Sequence, residues 1–259
     1  MATVTLTASG ERSDLPLVLL APFPLDSRVW EAVRKQLAGD IIAVDPPGFG
    51  GATTDADPSL ENYAQTLLNA LEDRGIDRFV VAGNSMGGYV ALALADLVPQ
   101  RLAGIGLVGT KASADDDAAR TNRIDMAEKA EAGEDPAGLV APMIDKVLAP
   151  ATREKQAEIV RAVEGWLAEA PADGVAWCQR AMAARPDRTR VLKQLDIPAA
   201  VIHGSDDPLM DAGSQRDMAG ALGVTVDTLE GRGHLLPVEA PREVAAILRD
   251  LWQRARRRG

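Results

Sequence analysis

Cysteine is almost absent: Cys178 is the single one in 259 residues. An intramolecular disulfide and a cysteine-based metal cluster are therefore excluded, and Cys178 reads as a structural thiol. Histidine is nearly as scarce, so chemistry that needs an imidazole can draw only on His203 and His234. Aromatic residues make up 3% of the chain, too few to suggest a specific ligand. No apolar run approaches the roughly 20 residues of a bilayer-spanning helix. The N-terminal stretch MATVTLTASGERSD lacks the basic-then-apolar pattern of a secretory signal. Positive charge is also short: 28 Lys and Arg against 38 Asp and Glu leave a net charge of −10. That balance argues against nucleic acid or an anionic membrane as partner, and a soluble cytoplasmic protein is expected. One basic cluster stands out, RARRRG at Arg254 to Gly259. It reads as arginines complementing the C-terminal dipole of a last helix.

Apolar content is ample, at 46%, enough for one large domain with an insertion. Short, continuously apolar runs recur at 15–21 (LPLVLLA), 40–50 (DIIAVDPPGFG), 78–83 (RFVVAG), 102–109 (LAGIGLVG) and 197–204 (IPAAVIHG). Such runs suit strands buried on both faces. VTVDTLE at 224–230 reads as a further short strand. Helical patterns lie between them. One carries Leu60, Ala64, Leu67, Leu68 and Leu71 on a single face, with Asp57 as the expected cap and Pro58 at the first helical position. Others are expected around 211–221 and from Pro241 to about Arg254. Repeated β-α alternation implies a mostly parallel sheet flanked by helices. The alternation lapses from 113 to 190, where acidic, alanine-rich stretches are punctuated by Pro136, Pro142, Pro150 and Pro171. The expected organisation is a core of 1–112 and 191–259 with a helical insertion at 113–190.

Gly83-Asn84-Ser85-Met86-Gly87 fits G-x-S-x-G, with FVV before it and YVALALA after. A strand that meets a helix this abruptly strains the serine backbone, and the flanking glycines relieve the crowding. The hydroxyl then projects above the sheet beside a helix N-terminus, where the Met86 N–H points to a developing oxyanion. A serine hydroxyl needs a base. His234 lies in a glycine-flanked loop, EGRGHLLPVEAPREV, and is the expected base; His203, at a strand end, is expected to be structural. Asp206 and Asp207 both sit in the turn beyond the 197–204 strand, where open α/β sheets place functional residues. Residue type leaves the choice between them open.

With these residues in place the chain resembles the α/β-hydrolase fold family along nearly its whole length, in the order Ser85, aspartate, His234. In that family the acid stands in G-x-x-D, and Gly204-Ser205-Asp206-Asp207 thereby implies Asp207. Gly233-His234 with Pro237, Glu239 and Pro241 resembles the family's histidine loop, and DPPGFGGA its turn after the second strand. Residues 113–190 fall where the family inserts a helical cap. The departure is LLAPFPLDSRVW, with Ala21-Pro22-Phe23-Pro24 where the family reads H-G-F-P. The resemblance implies the Phe23 N–H as second oxyanion donor, on a backbone whose φ is now fixed at Pro22.

Short segments are most similar to the esterase, enol-lactonase and cofactor-free haloperoxidase-like branches. The expected function is a serine hydrolase of small carboxylic esters or lactones, with no metal or nucleotide cofactor. C–C bond hydrolysis or perhydrolysis on the same residues is the alternative, and a non-catalytic binding member a third reading. Trp166, Trp177, Met143 and Met182 are candidate linings of a substrate pocket in the insertion. A homo-oligomer is compatible with the sequence.

Overall fold

Residues 2–258 are described in a computed structural model. Seven strands, β1 (Thr5–Ser9), β2 (Leu17–Leu20), β3 (Ile41–Asp45), β4 (Phe79–Asn84), β5 (Leu102–Val108), β6 (Ala199–Gly204) and β7 (Val226–Leu229), form one sheet. Its order is β1-β3-β2-β4-β5-β6-β7. β1 runs antiparallel to β3, and every other pairing is parallel. All residues of β2 through β6 are buried, so the sheet is covered on both faces and its strands read as unbroken apolar runs. β1 is different. Its residues TLTAS are exposed or half-buried at the sheet edge, and its signal in the sequence is an alternation of threonines with Val4, Leu6 and Ala8 rather than an apolar run.

Four of the longer helices pack on this sheet: α1 (Leu60–Glu72), α2 (Met86–Leu97), α6 (Ala212–Ala221) and α7 (Pro241–Arg258). The expected face of α1 is buried, with Tyr63 added to it. Its cap is not Asp57. Ser59 has the extended backbone of an N-cap and accepts the Asn62 N–H at 3.0 Å, while Pro58 stays outside the helix. α7 continues past Arg254 to Arg258. Its arginines do more than face a dipole. Arg254 and Arg258 donate to the backbone carbonyls of Ala199 and Asp196 near the start of β6, each at 3.0 Å. Arg256 stacks on Trp252 at 4.3 Å. No helix of the described residues is long and apolar enough to cross a membrane.

Between β5 and β6 the chain forms helices alone, the longest being α3 (Asp117–Glu131), α4 (Ala157–Ala168) and α5 (Ala172–Ala183). The prolines initiate helices rather than interrupt them: Pro136 and Pro150 are first residues, and Pro171 caps α5. The Arg188 N–H donates to Ala112 O at 2.9 Å and joins the two ends of this helical segment. Along its length it is tied to the sheet side by Arg28–Glu169 at 2.6 Å and by the Trp177 indole N–H on Ala56 O at 2.7 Å. Cys178 is buried there, with its thiol 3.8 Å from Pro47 O. Burial pushes that thiol's pKa up and leaves it unreactive.

At the root of the segment, Asp115 collects Arg185 and Arg123, each at 2.6 Å, and Lys111 at 3.1 Å. Burial alone would raise the Asp115 carboxyl, but the two guanidiniums outweigh it and hold the pKa well below the usual carboxylate range. Arg185 also lies 4.1 Å over the Tyr89 ring, so the cluster joins α2 to the insertion. A lowered folded-state pKa means stability present above the unfolded value of about 4 and lost as pH falls below it. Replacing Asp115 with Asn leaves a buried Arg185 without its counter-charge. The expected loss is about 3–5 kcal/mol at neutral pH, read by urea unfolding, and the variant loses less further stability on acidification than the parent. A variant as stable as the parent would show that the cluster does not support the fold.

Candidate active site

β4 ends at Asn84 and α2 begins at Met86, so Ser85 alone makes the turn between them. Its φ of 53° is the only positive value at a non-glycine among the described residues. A backbone in such a region costs on the order of 1–3 kcal/mol and persists where its surroundings over-determine it. Those surroundings are visible. The Ser85 N–H donates to Val108 O at 2.9 Å, and the Thr110 hydroxyl donates to Ser85 O at 2.8 Å. Gly83 and Gly87 are required by close approach. A Cβ on Gly83 would lie 2.1 Å from Gly87 backbone atoms, and one on Gly87 would lie 2.3 Å from Leu20 O. The Ser85 side chain is not used to cap α2, which leaves its hydroxyl for other partners.

The packing of Gly87 on Leu20 sets the end of β2 directly against the first turn of α2. The chain leaves β2 through Ala21-Pro22-Phe23-Pro24, with a cis bond at Phe23–Pro24 and a turn closed by the Leu25 N–H on Pro22 O at 2.9 Å. Phe23 and Met86 are both buried. Met86, as the first residue of α2, has no acceptor within its helix. Two backbone segments that could each present an N–H therefore lie side by side next to Ser85.

Gly204 ends β6, and Asp207 follows in the turn. Its Oδ2 lies 2.8 Å from His234 Nδ1, and its Oδ1 accepts the N–H groups of Leu209 at 2.8 Å and Met210 at 3.2 Å. Both side chains of the pair are buried. Asp206 instead faces solvent and accepts the Ser205 hydroxyl at 2.9 Å. His203 does not join this pair. It lines an outer groove with Arg216 and Thr228, and burial lowers its pKa, partly offset by Asp207 and Asp211.

His234 is fixed from two sides. The Asn84 amide donates to Val108 O at 3.0 Å and to His234 O at 3.1 Å, so the residue preceding Ser85 holds the histidine backbone. On the other side the His234 and Leu235 N–H groups both donate to Val147 O, at 3.1 and 2.9 Å. Sequence reasoning passed over Asn84, an unspecified position of its motif. The available signal was a lone amide closing an otherwise apolar strand, FVVAGN. Thr110 was equally silent, and Glu239 was noted only as part of the histidine loop, because its partners Ala149 and Thr152 are distant in sequence.

Of the four pocket candidates, Trp166 lines a cleft of about 480 Å³ together with Pro24, Arg28 and Phe49. The structure does not bring the other three into that cleft. Trp177 is buried at the seam with the sheet domain, Met182 packs under Arg123, and Met143 lies half-buried against the core. Among the described residues no three His, Cys, Asp or Glu side chains group as metal ligands would.

Residues 17–247 match the family model described as the Alpha/beta hydrolase family. The chain belongs to this family. Among curated relatives of this alpha/beta hydrolase is the dihydrolipoyllysine-residue acetyltransferase component of the acetoin cleaving system of Pseudomonas putida. It is 30% identical over 91% of the chain, which spans 62% of that relative's length. The pimeloyl-[acyl-carrier protein] methyl ester esterase of Aromatoleum aromaticum is 40% identical over 36% of each chain. Among solved structures, an esterase from Thermogutta terrifontis superposes with a TM-score of 0.91 at 30% identity, covering 97% of this chain and 93% of that one. The enol-lactonase from Burkholderia xenovorans shares the fold, with a TM-score of 0.87 at 20% identity over 97% of both chains.

Replacing Asn84 with Ala removes the donor to two carbonyls, Val108 O and His234 O. The expected cost is about 1–3 kcal/mol, measured by urea unfolding. Amide exchange should also quicken around His234 while the centre of β4 stays protected.

Proposed function

We propose that the chain is a serine hydrolase that cleaves small carboxylic esters or lactones through an acyl-enzyme. Ser85 Oγ attacks the carbonyl carbon as His234 Nε2 takes its proton. Asp207 accepts from His234 Nδ1, which fixes the tautomer and stabilises the imidazolium as it forms. The N–H groups of Met86 and Phe23 donate to the oxygen that gains negative charge, a contribution worth about 10²–10³ in rate per donor. The tetrahedral adduct collapses and the leaving alkoxide takes the proton from His234. Water then enters, His234 removes its proton, and attack on the acyl carbon frees the acid and restores Ser85.

The observation that carries this reading is the buried His234–Asp207 pair, 2.8 Å apart, hung from Asn84, the residue next to the strained Ser85. Strain at a serine has no structural use that a glycine would not serve better. Membership of the alpha/beta hydrolase family and the 30% identical esterase add support. In this reading residues 113–190 form a cap over the site, and the chemistry needs no metal or nucleotide. Graded esters and lactones, set against a C–C cleavable diketone and a peracid assay, separate the preferred reaction from the alternatives.

The direct test is covalent. A fluorophosphonate probe should label Ser85, and p-nitrophenyl acetate should be turned over. Ser85→Ala should abolish both, and Asp207→Asn should lower kcat by about 10³–10⁴ at unchanged fold. Mass spectrometry that finds no adduct on Ser85, together with no turnover across the panel, would overturn the proposal and favour a binding role.

A further inference from the structure

Five residues after His234 stands a second buried carboxylate, Glu239, 4% exposed, at the end of the helical turn Leu236–Glu239. Its Oε1 accepts the N–H of Gly233 at 3.0 Å, and Gly233 immediately precedes His234. Its Oε2 accepts the N–H of Ala149 at 3.0 Å and the hydroxyl of Thr152 at 2.7 Å. Ala149 and Thr152 belong to the start of the Pro150–Lys155 helix, inside the helical insertion. One carboxylate thus joins the histidine loop to the insertion, with an oxygen for each.

The same seam carries the donations from His234 and Leu235 to Val147 O. Gly233 is needed for the fit: a Cβ there would lie 2.5 Å from the Ala149 nitrogen and 2.8 Å from Glu239 Oε1. Glu239 is held where an ionised group is disfavoured. Burial raises its pKa, opposed by Thr152, Ala149 and Gly233 through hydrogen bonds and by Arg232, the charged group that acts on it. A hydrophobic or amide residue would carry no such burden. What the carboxylate adds is geometric, since it offers acceptors to donors on two separate segments at once.

We propose that Glu239 is a positioning residue through which the helical insertion sets the place of His234 above Ser85. Asn84 fixes the histidine backbone to the sheet, and Glu239 with Val147 fixes it to the insertion. A shift of the insertion as substrate enters is transmitted to the imidazole through Gly233 rather than absorbed by a slack loop. The inference rests on His234 acting as the base of the proposed hydrolase. Its mechanical part, the coupling of the histidine loop to the insertion, stands apart from that reading.

The experiment compares the full chain with Glu239→Gln and Thr152→Val. The glutamine keeps the shape but turns an NH2 toward one of the two donor sets. Thr152→Val removes a single bond from the insertion side. Amide hydrogen exchange at 233–235, kcat and KM for p-nitrophenyl acetate, and Tm are measured for each. A misplacement of the base predicts a fall in kcat of about tenfold or more for Glu239→Gln, with KM within about twofold. Faster exchange at 233–235 should accompany it at a similar Tm, and Thr152→Val should shift both readouts the same way by less. Unchanged exchange and kcat in Glu239→Gln would overturn the proposal, as would a rise in KM alone. Should Glu239→Gln fail to fold, Thr152→Val decides: exchange and kcat equal to the parent's refute the coupling. If the parent turns over nothing, the hydrolase reading fails by itself, and exchange at 233–235 still decides whether Glu239 holds the loop.

Discussion

The backbone of Ser85 is bent to a positive φ between β4 and α2, and most of what surrounds the site follows from that bend. It can exist because two glycines let backbone run against backbone, Gly83 on Gly87 and Gly87 on Leu20. The second contact also brings the β2 exit loop beside the first turn of α2. Thr110 and Val108, at the end of the neighbouring strand, hold the peptide units of Ser85 from the other side. A single strained residue therefore fixes three strand ends relative to one helix. Thr110 is itself held from α6, whose Gln215 amide donates to its carbonyl at 2.7 Å.

The second level of order is electrostatic and lies where the helical segment meets the rest of the chain. Asp115 is surrounded by two arginines and a lysine, and Glu239 by three neutral donors. The contrast explains why their carboxyls shift in opposite directions. Positive charge in direct contact overcomes burial at Asp115, whereas three neutral donors and the charge of Arg232 only temper it at Glu239. The first anchors the insertion to α2 near Tyr89. The second touches the histidine loop.

What could be read from the sequence follows from burial. β2 through β6 are covered on both faces, so each appears as a continuous apolar run bounded by glycine or proline, and alternation with helices conveys the parallel sheet. β1 is a half-exposed edge strand, whose period-two alternation of threonines with Val4, Leu6 and Ala8 is a weaker mark than an unbroken apolar run. Asp57 was the expected cap, whereas Ser59 has both the extended backbone and the bond from the Asn62 N–H that mark the true one. At the candidate site the residues with chemical character were legible by type and order: one serine in its glycine setting, one loop histidine, one pair of aspartates. The residues that hold them were not. Asn84 meets His234 across 150 positions and Thr152 meets Glu239 across 87. Such contacts leave no local pattern, and the helical segment's own role in placing the histidine loop was hidden with them.

The single hydrogen bond from Arg188 to Ala112 makes the helical segment a loop whose two feet stand together. A chain that leaves and re-enters a sheet at one point does not force apart the strands between which it is inserted. Its length can then vary with only a slow, logarithmic rise in closure entropy. The fold thereby lets the stretches between those feet change in length, while the contacts at Asp115, Val147, Thr152 and Trp177 hold the parts that touch the sheet and the histidine loop.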